Sequence, residues 1–147
     1  MIRYTEESFE ELYPLVQEYV QAHWEEVSSL PEFAPDVDVD LFTALQNSGA
    51  LLCFAAWDGD KLIGYVADFV KNHPHYKTVK VAQCDVYFID PKYRAKCAIG
   101  LTKFVEKVEK EIGIYSRITR SKKANNAGAF FKAMGYDEAE IAWMKRL

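Results

Sequence analysis

The sequence predicts an α+β domain, because strand-like runs crowd the middle of the chain, helical periodicity flanks them, and no repeat, linker or low-complexity tract interrupts the order. With 147 residues, half of them hydrophobic and 14% aromatic, the chain can bury one substantial core, so a single domain over 1–147 is expected. A net charge of −4 supplies no basic field for DNA or RNA. Cys53, Cys84 and Cys97 are odd in number and lack C-x-x-C spacing, which suits reduced thiols in a cytosol. No apolar run approaches the ~20 residues of a membrane span. These features predict a soluble, cytoplasmic protein with neither nucleic acid nor membrane as partner.

The elements follow in order. Ile2 to Tyr4 reads as a short opening strand. Ser8 with Glu11 forms a capping box, and Phe9, Leu12, Tyr13, Val16 and Val20 recur at helical spacing, predicting a helix of about four turns. The stretch "SSLPEFAPDVDVD" (28–40) carries two prolines and alternating acids and reads as a loop long enough for a lid, before a short helix from Leu41 to Gln46 that ends near Gly49. "ALLCFAAW" and "KLIGYVADFV" are strand-like and joined through Asp58-Gly59, a pairing that type I′ hairpin turns favour. The polar connection "KNHPHYKT" leads to a third strand, "VKVAQCDVYFI", completing an antiparallel meander. Leu101, Phe104, Val105, Val108 and Ile112 then mark an amphipathic helix lying on the sheet. "YSRITRS" reads as a strand, Ala127 to Met134 as a helix closed by Gly135, and "AEIAWMKRL" as a last strand.

The densest signal is "VYFIDPKYRAKCAIGLTKFVEK" (86–107), where a strand stops at Asp90-Pro91, a basic turn follows, and a helix starts at once. The first N–H groups of such a helix have no intrahelical partners, the macrodipole adds positive charge there, and Arg94 and Lys96 add full charges. Phosphate suits that helix mouth. The turn is neither a Walker sequence nor G-x-G-x-x-G, and by spacing alone it equally fits a basic turn that only caps and solvates a helix.

Taken with the order of elements, "IDPKYRAKCAIGLTKFVEK" resembles the V-x-P-x-Y-R-G-x-G-x-G turn and helix of the GNAT superfamily of N-acetyltransferases, and "NNAGAFFKAMGY" is similar to its N-x-x-A-x-x-x-Y-x-x-x-G-F segment. The resemblance covers the whole chain. It implies a mixed central sheet with an antiparallel meander and helices on both faces. It also implies acetyl-coenzyme A as co-substrate and transfer of its acetyl group to a primary amine, small-molecule or protein, by direct attack. "HW" at His23-Trp24 and "HPHYK" from His73 look most like a subgroup frequent in phages and prophages. A homodimer is among the assemblies left open.

By this resemblance Arg94, Ala95, Lys96, Cys97, Ala98, Ile99 and Gly100 seat the pyrophosphate. Tyr87, Phe88 and Ile89 bring strand backbone to the pantetheine arm, Asn126 and Phe131 flank it, and His23, Trp24 and Glu25 wall the acceptor site. Alternation places Asp85 on one face with Tyr87 and Ile89. Asp85 is then either a carboxylate of raised pKa that accepts the amine proton or a structural acid. His75 is a second candidate base and Tyr76 an acceptor contact, both on the connecting loop. His23 should gain from the helix dipole, and the acids Glu32, Asp36, Asp38 and Asp40 either attract a cationic acceptor or form a wet loop. Cys97, at a helix N-terminus beside two cations, is either a thiol of lowered pKa or a small residue in a tight turn.

By the resemblance, Ala95, Cys97 and Ile99 stand where the family has glycines, and Phe131 where it has a tyrosine that protonates the leaving thiolate, a role left to water, to Tyr136 or to nothing. These departures favour a rival reading: a GNAT-shaped binding or regulatory protein that keeps the coenzyme cleft without turnover. No H-E-x-x-H, Cys/His cluster or acidic calcium loop predicts a metal.

Overall fold

The computed structural model describes residues Met1 to Leu147 as β1 (Ile2–Glu7), α1 (Phe9–Val27), α2 (Val39–Asn47), β2 (Leu51–Asp58), β3 (Lys61–His73), β4 (Tyr76–Ile89), α3 (Arg94–Glu111), β5 (Ser116–Ile118) and α4 (Gly128–Ala133). The strands form one sheet in the order β1-β2-β3-β4-β5. The first four are antiparallel neighbours, and β5 joins β4 in parallel. This is the expected mixed sheet with a central meander.

Strand alternation sends two sets of side chains to opposite faces. Cys53, Ala55, Tyr65, Ala67 and Phe88 meet Phe9, Leu12, Val16 and Tyr19 of α1. Phe54, Ala56, Ile63, Val66 and Ile89 meet Cys97, Leu101 and Val105 of α3. Helices therefore cover both faces, and the core has two layers separated by the sheet.

Ser8 caps α1 as its sequence predicts, accepting from the Glu11 N–H at 3.2 Å while its hydroxyl donates to the Glu11 carboxylate. The helix runs 19 residues, beyond the expected four turns, which carries His23 into the protein. The β2–β3 turn has Gly59 and Asp60 at its centre, and only Gly59 has positive φ, so it follows the type II′ pattern and not the expected I′. The connection after β3 is a hairpin turn of Pro74 and His75 alone, because β3 and β4 pair up to His73 and Tyr76.

The expected last strand does not form. Residues 139–147 have no ladder partner, and Ile141 and Trp143 are 70% and 91% exposed. Alternation makes a segment fit for a strand, but a strand needs a partner long enough to form a ladder, and β5, the edge strand of the sheet, ends after three residues. The tail is tied instead by side chains: the Arg146 Nε donates to Glu32 at 2.6 Å, and Arg120 pairs with Glu140 at 3.3 Å. No helix is long and apolar enough to cross a membrane.

Candidate active site

Two features of β4 create the site. Opposite Ala67 and Asp68 the register jumps from Val86 to Cys84, so Asp85 is the extra residue of a β-bulge. Beyond Gln83 no strand lies along the outer edge of β4, because β5 pairs only with Val81 to Gln83. The two strands diverge from that point. A cavity of about 610 Å³ fills the gap, bounded by β4 from Gln83 to Ile89, the start of α3, the end of α1 and the segment between β5 and α4.

The divergence is anchored by a buried charge cluster. Arg117 of β5 donates to both carboxylate oxygens of Asp68, at 2.7 and 3.1 Å, and lies 3.5 Å from Glu109 of α3. It also donates to the Tyr136 hydroxyl, which donates to Glu106 at 2.8 Å. Burial, then the neighbouring Asp68 carboxylate, raises the pKa of Glu109 far above the usual carboxylate range. One guanidinium thus balances one ionised carboxylate, with Glu109 holding a proton.

At the mouth of α3, Tyr93 is the N-cap residue and offers no side-chain cap. The N–H groups of Lys96 and Cys97 both donate to the Tyr93 carbonyl, at 3.0 and 2.9 Å, while those of Arg94 and Ala95 meet no acceptor in the protein. The free donors are therefore two, fewer than the run from Arg94 to Gly100 suggests. The Arg94 guanidinium bonds the Ile89 carbonyl at 3.0 Å and pairs with Glu26. Arg120 and Lys122 bring cations from the opposite wall.

His23, Asp85, Tyr87, Phe88, Ile89, Arg94, Ala95, Ala98 and Phe131 meet around this cavity. Other expected site residues lie elsewhere. Lys96 and Ile99 are exposed and line neither cavity described here. Gly100 faces β1, where any Cβ would run into the Tyr4 ring and hydroxyl, so its small size serves packing. Cys97 is fully buried in the core and burial raises its thiol to about 11, the reverse of an activated thiolate. Asn126 is exposed, its Oδ1 accepting from the nearby Gly128 N–H at 2.8 Å, and Asn125 lines the cavity in its place. Glu25 bonds Gln21 on the surface of α1. His75 and Tyr76 sit at the hairpin tip, nine residues along β4 from Asp85, roughly 30 Å at a strand's rise. They do not share a site with it.

The bulge also overturns the expected face of Asp85. Tyr87 and Ile89 point toward α3, whereas Asp85 opens into a second cavity, of about 250 Å³, beneath α1 and the loop before α2. Asp85 is reached by solvent, yet the protein mass around it, followed by the Asp68 carboxylate, raises its pKa. The two cavities share His23, Val27 and Asp85. His23 is 7% exposed, its Nδ1 lies 2.8 Å from the Tyr65 hydroxyl, and burial lowers its imidazole to about 4, outweighing the carboxylate of Glu26. It is neutral, contrary to the gain expected from the helix dipole. Tyr136, committed to Arg117 and Glu106, lines neither cavity.

Glu26, Arg120, Lys122 and Asn125 also enter the site, unpredicted by the sequence reading. Asn125 donates to Glu26 at 3.4 Å and Lys122 to the Ser29 hydroxyl at 2.7 Å, which latches the β5–α4 segment to the end of α1. The basic run "TRSKK" (119–123) was the available signal for two of them. No group of three or more His, Cys, Asp or Glu side chains is placed to hold a metal ion.

An open strand edge, free amides and flanking cations form a groove that fits an extended, phosphate-bearing ligand. Comparison with known proteins points the same way. Residues 9–136 match the acetyltransferase (GNAT) family. No curated protein matches the chain significantly. Among solved structures, an aminoglycoside acetyltransferase from an uncultured soil metagenomic sample superposes with a TM-score of 0.78 at 12% identity, covering 100% of this chain and 99% of that one. A predicted acetyltransferase with acetyl-CoA from Clostridium acetobutylicum gives 0.73 at 17% identity, covering 100% and 96%. A ribosomal-protein-alanine N-acetyltransferase from Brucella melitensis biovar Abortus 2308 gives 0.74 at 11%, covering 100% and 99%. Matched from the first turn of α1 to Tyr136, this chain belongs to the GNAT family of acetyltransferases.

Proposed function

We propose that the chain transfers an acetyl group from acetyl-coenzyme A to a primary amine by direct attack, with no covalent enzyme intermediate. The observation that carries this reading is the unpaired half of β4 opening onto a cavity that ends at the free amides of Arg94 and Ala95. Those residues fit the coenzyme. The amides, with Arg120 and Lys122, would hold its diphosphate, and the β4 edge from Asp85 to Ile89 offers backbone groups to its pantetheine amides. The thioester, when bound, supplies an acyl carbon open to a neutral amine. Asp85, at the junction of the two cavities, takes the amine proton directly or through water. His23 holds a neutral imidazole beside it. Phe131 closes the pantetheine channel edge-on against Tyr87, with ring centroids 6.3 Å apart, and has no proton to give, so water protonates the departing thiolate.

Titration calorimetry with acetyl-coenzyme A tests the groove, and thiol release in the presence of amines tests turnover. Arg94→Glu places a second anion beside Glu26 and should weaken coenzyme binding at least tenfold; unchanged affinity would remove the diphosphate from this helix mouth. Asp85→Asn should lower turnover by about a hundredfold or more with coenzyme affinity kept.

A second reading draws on the Glu26 carboxylate, which occupies Arg94 in the phosphate region. On that reading the chain is a binding or regulatory protein that retains the cleft, and it predicts coenzyme binding without thiol release for any amine. The acceptor is a small-molecule or protein amine. A cytoplasmic location rests on three free cysteines, all buried. A phage-like origin rests on His23-Trp24 and the His73–Lys77 run, and a homodimer is the assembly to seek by light scattering.

A further inference from the structure

The second cavity, beneath α1 and the loop before α2, differs in chemistry from the coenzyme groove. Of its 17 lining residues 14 are hydrophobic, and Asp85 is the one that bears a formal charge. The aromatic rings of Phe9, Tyr13, Trp24 and Phe42 come from the two helices, and Cys53, Tyr65, Ala67 and Val86 form the floor. The loop that closes it, "APDVDVD", turns Pro35 and Val37 inward. Its acids are used elsewhere or left outside: Asp38 caps α2 by accepting from the Leu41 N–H at 2.9 Å, Glu32 holds Arg146, and Asp36 and Asp40 are exposed. The acidic run therefore presents no carboxylate to a bound acceptor.

Resting on the acetyl-transfer reading, we infer that the acceptor is a primary amine on a short chain bearing one aromatic or branched aliphatic group, seated in this cavity with its nitrogen at Asp85. A dry apolar cavity of about 150 Å³ already holds a benzene ring, so about 250 Å³ accommodates a ring with a two-carbon arm. The cavity joins the coenzyme groove through His23, Val27 and Asp85, which directs the nitrogen toward the thioester and leaves the apolar group behind. One carboxylate matches one ammonium. A polyamine would set further charges against Val16, Val20 and Phe42, and an aminosugar would leave hydroxyls unpaired on apolar walls, both unfavourable where the ligand displaces water from those walls.

The test compares 2-phenylethylamine and 3-methylbutylamine with spermidine and glucosamine in the thiol-release assay. The expected kcat/KM for the first pair is at least a hundredfold higher. Val20→Phe, which fills the cavity from a half-buried position, should raise KM for 2-phenylethylamine at least tenfold while acetyl-coenzyme A affinity stays the same. Equal or better use of spermidine or glucosamine overturns the inference and leaves acetyl transfer standing. An unmoved KM in Val20→Phe also overturns it. Should no amine release thiol, titration of 2-phenylethylamine followed by Trp24 fluorescence, with Trp24→Phe as control, decides the matter: saturable binding supports the cavity as an amine site even if the transfer reading falls, and its absence overturns the inference.

Discussion

The two halves of β4 differ in what lies along their outer edge. From Val81 to Gln83 the strand is paired on both sides, with β3 and β5, and is backed by the Arg117–Asp68–Glu109 cluster. From Asp85 to Ile89 it is paired on one side only, and the free edge becomes the wall of a groove. The sealed half carries buried charges behind a three-residue strand, and the open half has no strand partner on its outer edge, where Arg94 bonds the Ile89 carbonyl. Both halves bury core side chains, Ala82 in one and Phe88 and Ile89 in the other, so the difference between them lies in the outer edge alone, and it changes at the bulge.

The largest test of this contrast is Arg117→Met. It leaves Asp68 buried without its partner, a change that costs about 3–5 kcal/mol, and the urea midpoint should fall accordingly. A loss under about 1 kcal/mol would mean the cluster does not anchor the sealed half.

The next effect is pH dependence at the junction. In the unfolded chain the His23 imidazole takes up a proton below its ordinary value of 6.5, whereas the folded one stays neutral to about 4. The unfolded state then binds more protons, so stability falls as pH drops from 6.5 to 4, by about 3 kcal/mol at most. Glu109 acts in the opposite direction. Its folded carboxyl keeps a proton that the unfolded one releases above about 4.5, so its contribution declines as pH rises. Between about pH 4.5 and 6.5 the two slopes oppose each other, so removing one exposes the other: stability should fall with rising pH in His23→Phe and fall with dropping pH in Glu109→Gln.

Smaller effects belong to the open half. Arg120→Ala breaks only an exposed pair with Glu140, so stability should stay within about 0.5 kcal/mol while coenzyme dissociation rises several-fold. The smallest is a null result at Cys97: buried and with its thiol raised to about 11, it should resist alkylation in the native protein and react on unfolding.

Legibility followed the range of the interaction. The Ser8 cap, the α3 stripe through Leu101 and Val105, the Asp58-Gly59 hairpin and the strand-to-helix mouth after Pro91 are set by neighbours within a few residues, and each is written in the sequence even where a turn type or an end differs. The bulge at Asp85 is not, because it depends on β3 taking one residue fewer opposite it. Alternation therefore put Asp85 on the wrong face. His75 read as a base through its residue type and its place on the connecting loop, while the register of the hairpin carried it roughly 30 Å from Asp85. Glu26 and Arg94, 68 positions apart, meet only because α1 ends over the start of α3.

By itself the sequence determined the order of elements as far as α4, the apolar stripes that set helices against a central meander, and a helix start short of partners, since all three arise from local periodicity and unpaired backbone groups. Tertiary structure alone decided how far β5 follows β4, where the bulge falls, and which charges share the gap. Those outcomes depend on which distant groups compete for the same neighbour, and that competition is settled only when the layers close.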